Sequence, residues 1–73
     1  NNVTDYTFKD ESGRLETIQA TPEHPFYSIN RHDYVPIGKI WYNSLRNNQK
    51  EQIQTEFGKS VTLVNAKPHN GEV

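Results

Sequence analysis

The sequence contains no cysteine, and only 32% of its 73 residues are hydrophobic. Disulfides therefore cannot stabilise the chain, and three histidines alone are a poor basis for a structural metal site. A folded chain of this length buries roughly 60% of the surface that its unfolded form exposes. Because the mean hydropathy is also low, at -0.97, we expect residues 1–73 to form either a small single domain or a fragment of a larger fold.

Long runs of one charge and long apolar runs are also lacking. Eight Lys and Arg residues are interspersed with nine Asp and Glu residues, which gives a net charge of -1. A phosphate backbone would find no basic stripe to follow, so we expect no nucleic-acid partner. No apolar run approaches the roughly 20 residues of a membrane span, so we expect no membrane partner.

The first third of the chain has the pattern of a β-hairpin. Alternation and β-branched or aromatic residues in VTDYTF predict a strand over about 3–8, and RLETIQA predicts a second strand over 14–20. Asp10 and Gly13 suit the turn between them. Leu15 and Ile18 would fall on opposite faces of an ideal strand, so either a bulge intervenes or both faces are partly covered.

The remaining segments also predict a mainly β fold of short antiparallel strands. A weakly amphipathic pattern over about 40–54, with Trp41 and Leu45 four residues apart, fits a short helix or a polar loop. The dipeptide Asn70-Gly71 predicts a hairpin turn, after which Val73 would begin another strand. The other predicted elements are a short strand over 24–29, a turn over 30–33, an extended piece over 34–37 and a strand over 60–66.

The segment TPEH, residues 21–24, holds the main candidate chemistry. A proline restricts the residue before it to extended conformations, and Pro22 presets the second position of a turn. Such a turn brings together the Thr21 hydroxyl and the His24 imidazole, which could hold a peptide bond between them. Histidine suits bonding or protonating an amide nitrogen, because its ordinary pKa is near neutrality. The structural alternative is a proline-rich turn with an exposed histidine.

TPEHPFYS, followed by DYVPIGKI, resembles the central motif of the Hint (Hedgehog/intein) family. The likeness is greatest to the pretoxin Hint domains of bacterial polymorphic toxins, in which a strand leads into a Thr-Pro-x-His-Pro-aromatic motif. It extends over about residues 15–38, and VNAKPHNGEV resembles the stretch before the family's late strands. The resemblance implies a partial Hint-type fold and a secreted or cell-surface bacterial protein.

The resemblance also implies a reaction and two catalytic residues. In Hint domains the threonine and histidine of this motif lie beside the scissile peptide bond and assist its conversion to a thioester or ester. Thr21 would orient that bond, and His24 would help the amide nitrogen leave as an amine. The partners implied are an intramolecular peptide bond of the parent chain and the remaining segments of the same fold, with release of a C-terminal toxin or effector. No cofactor is implied.

The sequence departs from the family pattern at both ends. The acyl shift needs a cysteine or serine nucleophile at the start of the domain, and Asn1 cannot serve. His69 and Asn70 have the letters of the family's catalytic ending but are interpreted as part of a turn. The segment 39–56 lacks the Gly-Asp turn often found there. We therefore expect the isolated chain to be inactive.

Two other groups of residues carry weaker functional signals. We expect no metal site, because the possible ligands lack the close spacing of a site built on one element. These possible ligands are His24, His32, Asp33 and His69. An aromatic surface for a partner could instead be formed by Tyr27, Tyr34, Trp41 and Tyr42. Core packing is the more common fate of such residues. A small β binding module, or a degenerate Hint scaffold, is thus the alternative function.

Overall fold

Alternating apolar and polar residues fold most of the chain into strands of one antiparallel sheet, with one helix against it. The computed structural model describes residues 3–47, 50–55 and 58–69. The prediction of a mainly β fold is confirmed. In chain order the elements are β1 (Thr4–Asp10), β2 (Leu15–Ala20), β3 (Pro25–Ser28), β4 (Asp33–Pro36), α1 (Ile37–Asn47), β5 (Gln52–Gln54) and β6 (Ser60–Pro68).

The predicted hairpin is confirmed as β1 and β2. Its turn is closed by the Gly13 amide, which donates to the Asp10 carbonyl at 3.0 Å, and Gly13 takes a positive φ of 88° that suits glycine. The pairing of Tyr6 with Ile18 places Ile18 beside the core. Leu15 is 61% exposed. The two residues therefore lie on opposite faces of a regular β2, and the extra residue of this sheet is on β6 instead.

The sheet is strongly curled. Its strand order is β2-β1-β6-β5-β3-β4, and the register of β1 on β6 shifts between Thr7 and Phe8. In a flat sheet, three strand spacings would separate β1 from β3 by about 14 Å. The rings of Phe8 on β1 and Phe26 on β3 nevertheless lie 5.9 Å apart between centroids. The sheet thus folds over on itself and has a concave face.

Helix α1 covers one part of that concave face. Of the two alternatives for about 40–54, a short helix or a polar loop, the helix is present, but it begins directly after Pro36. At the other end of that segment, Gln52–Gln54 forms strand β5. Helix and sheet share one apolar core, which Trp41 contacts from a partly buried position. The buried core side chains are Tyr6, Phe8, Val35, Ile37, Ile40, Ile53, Val61 and Leu63.

The remaining expectations concern short segments. The turn after β3 is present, and His32 within it has a positive φ of 57°. Strand β6 continues two residues beyond the predicted 66, to Pro68. The turn at Asn70-Gly71 and the strand expected to begin at Val73 lie outside the described residues. In the described part of the chain, no helix has the length and apolarity needed to cross a membrane.

Candidate functional site

The segment TPEH forms the turn that its prolines predict. The His24 amide donates to the Thr21 carbonyl at 3.0 Å, which closes the turn. Both Thr21 and His24 are exposed, whereas Pro22 is partly buried. The next residue after His24 is Pro25, which begins β3, and its missing amide hydrogen suits the first residue of a strand.

The turn also caps the N-terminus of helix α1. The first amides of a helix have no partner within it, and the side chain of Pro36, just before α1, has no acceptor for them. Here the Ile37 amide donates to the His24 carbonyl, and the Gly38 amide donates to the Pro22 carbonyl, both at 2.9 Å. The turn and the first residues of the helix are therefore one structural unit.

Glycine at position 38 allows this close approach. A Cβ atom on Gly38 would lie 2.8 Å from Pro22 Cβ and 3.1 Å from the Pro22 carbonyl oxygen. The first distance is shorter than real Cβ contacts, and both partners belong to a constrained proline. Any larger residue at position 38 would therefore displace the turn from the helix.

The His24 ring is held from two sides. Its Nδ1 atom lies 3.1 Å from the Pro25 carbonyl oxygen, and its centroid lies 5.1 Å from that of the Phe26 ring. Since a carbonyl only accepts, Nδ1 carries the proton of this bond. Nε2 of the neutral ring is then an acceptor, and it becomes a donor only when the imidazole takes up a second proton. As an acid toward a leaving amine, His24 must therefore be cationic.

His24 stands at the rim of an open groove of about 940 Å³ on the concave face of the sheet. Apolar side chains from five strands line it, among them Phe8, Phe26 and Ile53. Charged side chains of both signs also line the groove, among them Glu16 and Lys59. Of the two site residues predicted from the sequence, His24 is among the described residues that line the groove, and Thr21 is not. Their joint action on a peptide bond stays a prediction.

The Glu23 carboxylate acts on a buried group behind the turn. Burial raises the pKa of the Tyr6 hydroxyl above its ordinary value, and the negative charge of Glu23 raises it further, while a hydrogen bond with Thr4 lowers it. Of these three influences on the pKa of Tyr6, burial is the largest and the charge of Glu23 is the smallest. Nothing in the local sequence indicated the effect of Glu23, because Tyr6 and Glu23 are brought together only by the curl of the sheet.

A partly buried ionic cluster lies beside β3, and nothing in the sequence pattern indicates it. Glu51 is only 8% exposed, and its carboxylate accepts hydrogen bonds from Arg31 Nη2 at 3.0 Å and Arg31 Nε at 3.3 Å. Ser28 Oγ donates to the same carboxylate at 3.3 Å and accepts from the Arg31 amide at 3.2 Å. The hydrogen bond to Glu51, and then its charge, raise the pKa of the Arg31 guanidinium. The cluster fastens the turn after β3 to β5.

The four candidate aromatic residues do not form one surface. Tyr27 and Tyr34 pair across β3 and β4, edge to face, with centroids 5.3 Å apart. Trp41 packs against the core, as the more common fate predicts. Tyr42 is 57% exposed, and Arg46 Nη1 of the same helix donates to its hydroxyl at 3.1 Å.

The histidines and acids of the described residues do not gather in groups of three that could hold a metal ion. His69 instead pairs with one carboxylate, its Nδ1 lying 3.1 Å from Asp5 Oδ1. The His69 amide donates to the Val3 carbonyl at 3.0 Å, so this residue extends the pairing of β6 with β1. Its partner in the family's ending, Asn70, lies outside the described residues.

Comparison of the chain with protein-family models, with characterised proteins and with solved structures gave no match.

Proposed function

We propose that this chain is the central segment of a Hint-type autoprocessing domain. In the parent protein, a cysteine or serine would attack the carbonyl carbon of a peptide bond beside the turn, forming a thioester or ester as the carbon–nitrogen bond breaks. Thr21 would orient the bond, and cationic His24 would give its Nε2 proton to the departing amine. In a second step, water would add to the acyl carbon of the thioester or ester as the sulfur or oxygen leaves and regains a proton. This hydrolysis would separate the two parts of the parent chain and release a C-terminal toxin or effector.

One observation carries this proposal. The two segments that resemble the family motif, TPEHPFYS and DYVPIGKI, are separated in sequence but are joined by the bonds of Ile37 and Gly38 to the turn. Gly38 has no Cβ at the one point where a Cβ would strike Pro22. This double attachment caps helix α1 and also fixes the orientation of the turn that carries His24. It supports a role in which the position of His24 matters.

The test uses the polypeptide encoded by the complete open reading frame. Purified protein is incubated near neutral pH with dithiothreitol, which cleaves thioesters, and fragments are measured by intact mass. We expect cleavage in the wild type and its loss in H24A. Thr21→Ser should keep most of the rate and Thr21→Ala should lose it. The control is His32→Asn, because Asn tolerates the positive φ of this position. Absence of cleavage in the wild type, or equal rates in H24A and wild type, would refute the proposal.

The 73-residue chain by itself should remain intact. Asn1 offers no thiol or hydroxyl to begin the acyl shift. After long incubation with dithiothreitol, we expect a single mass that corresponds to the unbroken chain. A spontaneous fragment whose appearance depends on His24 would show that another group supplies the nucleophile.

The second candidate is a small β binding module, favoured by the open groove on the concave face. Its lining combines apolar side chains with a few charged and polar groups, as ligand-binding clefts do. Substitution of His24 distinguishes the two functions. In a binding module, H24A would leave the polypeptide uncleaved, as in the wild type, and would change only the affinity for a partner.

A further inference from the structure

Helix α1 turns a basic face away from the sheet. Residues 34–50 contain Lys39, Arg46 and Lys50 and no Asp or Glu, although the chain as a whole carries a net charge of -1. Among the described residues, no carboxylate lies within 4.0 Å of these three cations, since the described ion pairs are Arg31 with Glu51, Lys59 with Asp10, and His69 with Asp5. Within that part of the chain, the positive charge of α1 and Lys50 is therefore not paired directly with a carboxylate.

Lys39, Tyr42 and Arg46 are spaced three and four residues apart, so they follow one another along the same side of the helix. All three are exposed, while Ile37, Ile40 and Ser44 on the opposite side are buried. Leu45 flanks the exposed side and is 63% exposed. We call Lys39, Tyr42, Leu45 and Arg46 the α1 face. It combines two cations with two large side chains, Tyr42 and Leu45, that remain mostly exposed to solvent.

Tyr42 fixes the position of the Arg46 guanidinium. Arg46 Nη1 donates to the Tyr42 hydroxyl at 3.1 Å, and the guanidinium carbon lies 6.0 Å from the Tyr42 ring centroid. In the described part of the chain, no acceptor is bonded to Nε or Nη2 of Arg46. Those two nitrogens form the edge with which arginine binds a carboxylate through two parallel hydrogen bonds. The geometry thus presents a preformed carboxylate-binding edge beside an exposed ring and Leu45.

We propose that the α1 face docks an acidic protein segment, in which a carboxylate pairs with Arg46 and an apolar side chain packs on Tyr42 and Leu45. Charge complementarity selects acidic partners, and the two-nitrogen edge selects a planar carboxylate. Tyrosine and arginine are also enriched among residues that dominate protein interfaces. Two exposed apolar side chains are few for insertion into a membrane. The proposal does not depend on the autoprocessing function.

The test titrates ¹⁵N-labelled 73-residue chain with the peptide acetyl-LEELLEEL-amide and follows backbone amide shifts. We expect shifts confined to residues 39–46, and none with acetyl-LKKLLKKL-amide. R46Q should weaken binding about tenfold, the equivalent of one charge-assisted hydrogen-bonded contact. R46K, which keeps the charge but loses the planar edge, should also weaken it severalfold. Leu45→Ala, at an exposed position, tests the apolar contact without removing a core residue.

The matched control is Lys67→Gln, which removes one exposed positive charge from β6. It should change the affinity by less than about twofold, as screened charges at a distance do. Equal weakening by K67Q and R46Q would overturn the proposal, because binding would then follow net charge alone. So would the absence of shifts on α1. Larger shifts of residues 39–46 with phosphatidylserine-containing vesicles or the oligonucleotide dT12 than with the acidic peptide would assign the face to a different partner and overturn it as well.

Discussion

Gly38 lies directly against Pro22, with its amide bonded to the Pro22 carbonyl at 2.9 Å and no space for a Cβ atom between them. This contact joins the turn that carries Thr21 and His24 to the first residues of helix α1. The helix gains acceptors for two of its unpaired amides, and the turn gains a fixed orientation relative to the sheet. The contact at position 38 therefore stabilises the start of helix α1 and also holds the turn that carries the candidate site.

Gly38→Ala should therefore destabilise the protein although alanine is the better helix former. The gain in helix propensity is about 1 kcal/mol, whereas forcing a methyl group into a packed contact costs about 1–3 kcal/mol. With backbone on one side of the contact, we expect a net loss in the free energy of unfolding, measured by urea denaturation. Lys39→Ala, on the exposed side of the same turn of helix, is the control and should change it by less than about 0.5 kcal/mol. A more stable G38A would show that the contact is looser than the distances indicate.

A second prediction concerns Phe8, whose ring contacts Phe26 because the sheet curls. Phe8 is 2% exposed, and Phe8→Ala should cost about 3–5 kcal/mol. In a domain of this size such a loss can abolish folding, so Phe8→Leu provides a milder variant with the same expected sign. Leu15→Ala, at a strand residue of the exposed face, should be nearly neutral. Equal losses for F8L and L15A, measured by thermal unfolding, would contradict the assignment of Phe8 to the core.

The hairpin, β6 and the turn at residues 21–24 could be predicted because their signals are local. Alternation defined β1 and β6, and Pro22 defined the turn. Strand β5 has only three residues, and Gln52 and Gln54 carry no strand signal. It forms because Ile53 pairs with Ser28 and Val61 on its two neighbours. The start of α1 after Pro36 was missed because two of its first amides are bonded to the Pro22 and His24 carbonyls, which are distant in sequence.

The candidate site shows the same division. Thr21 and His24 were found through a motif, and the motif predicts their turn. That Glu51 would be buried and paired with Arg31 had no local signal, because an isolated glutamate in a polar stretch normally remains exposed. Only the pairing of β5 with β3 brings its carboxylate to the turn at residue 31. Residues whose role depends on non-local pairing were the ones that the sequence did not reveal.

The Arg31–Glu51 pair should show a measurable coupling energy. Two N–H groups of Arg31 and the Ser28 hydroxyl donate hydrogen bonds to the Glu51 carboxylate, which is largely removed from water. We expect the double-mutant cycle of Arg31→Ala and Glu51→Ala to give about 1.5–3 kcal/mol, as for hydrogen bonds to charged groups. Arg31→Ala alone should be the more harmful single change, because it leaves Glu51 buried and unpaired.

The exposed Lys59–Asp10 pair supplies the comparison for this cycle. Its nearest nitrogen and oxygen atoms are 3.9 Å apart, and the Lys59 side chain is largely exposed. Lys59→Ala should change the free energy of unfolding by less than about 1 kcal/mol. A coupling for Arg31 and Glu51 no larger than the effect of K59A would show that the cluster is screened by solvent like an ordinary surface pair.

Asp10 should contribute a pH-dependent part of the stability. Its carboxylate accepts hydrogen bonds from Ser12 Oγ at 2.7 Å and from the amides of Ser12 and Arg14, both at 2.9 Å. The Ser12 side-chain bond, followed by the Arg14 amide, lowers the pKa of Asp10 from its ordinary value of 3.8. Because the folded value is the lower one, the stabilisation is complete above pH 3.8 and is lost as the pH falls below it.

Asp10→Asn tests this sign. The asparagine oxygen still accepts hydrogen bonds but does not titrate, so the difference in stability between wild type and D10N should be constant above pH 3.8 and shrink at lower pH. Urea denaturation at a series of pH values between 2.5 and 6 measures it. Glu11→Gln removes the same charge from the same turn without the three hydrogen bonds, and its profile gives the reference. A difference between wild type and D10N that grows on acidification would mean that folding raises the pKa of Asp10, contrary to its bonds with Ser12 and Arg14.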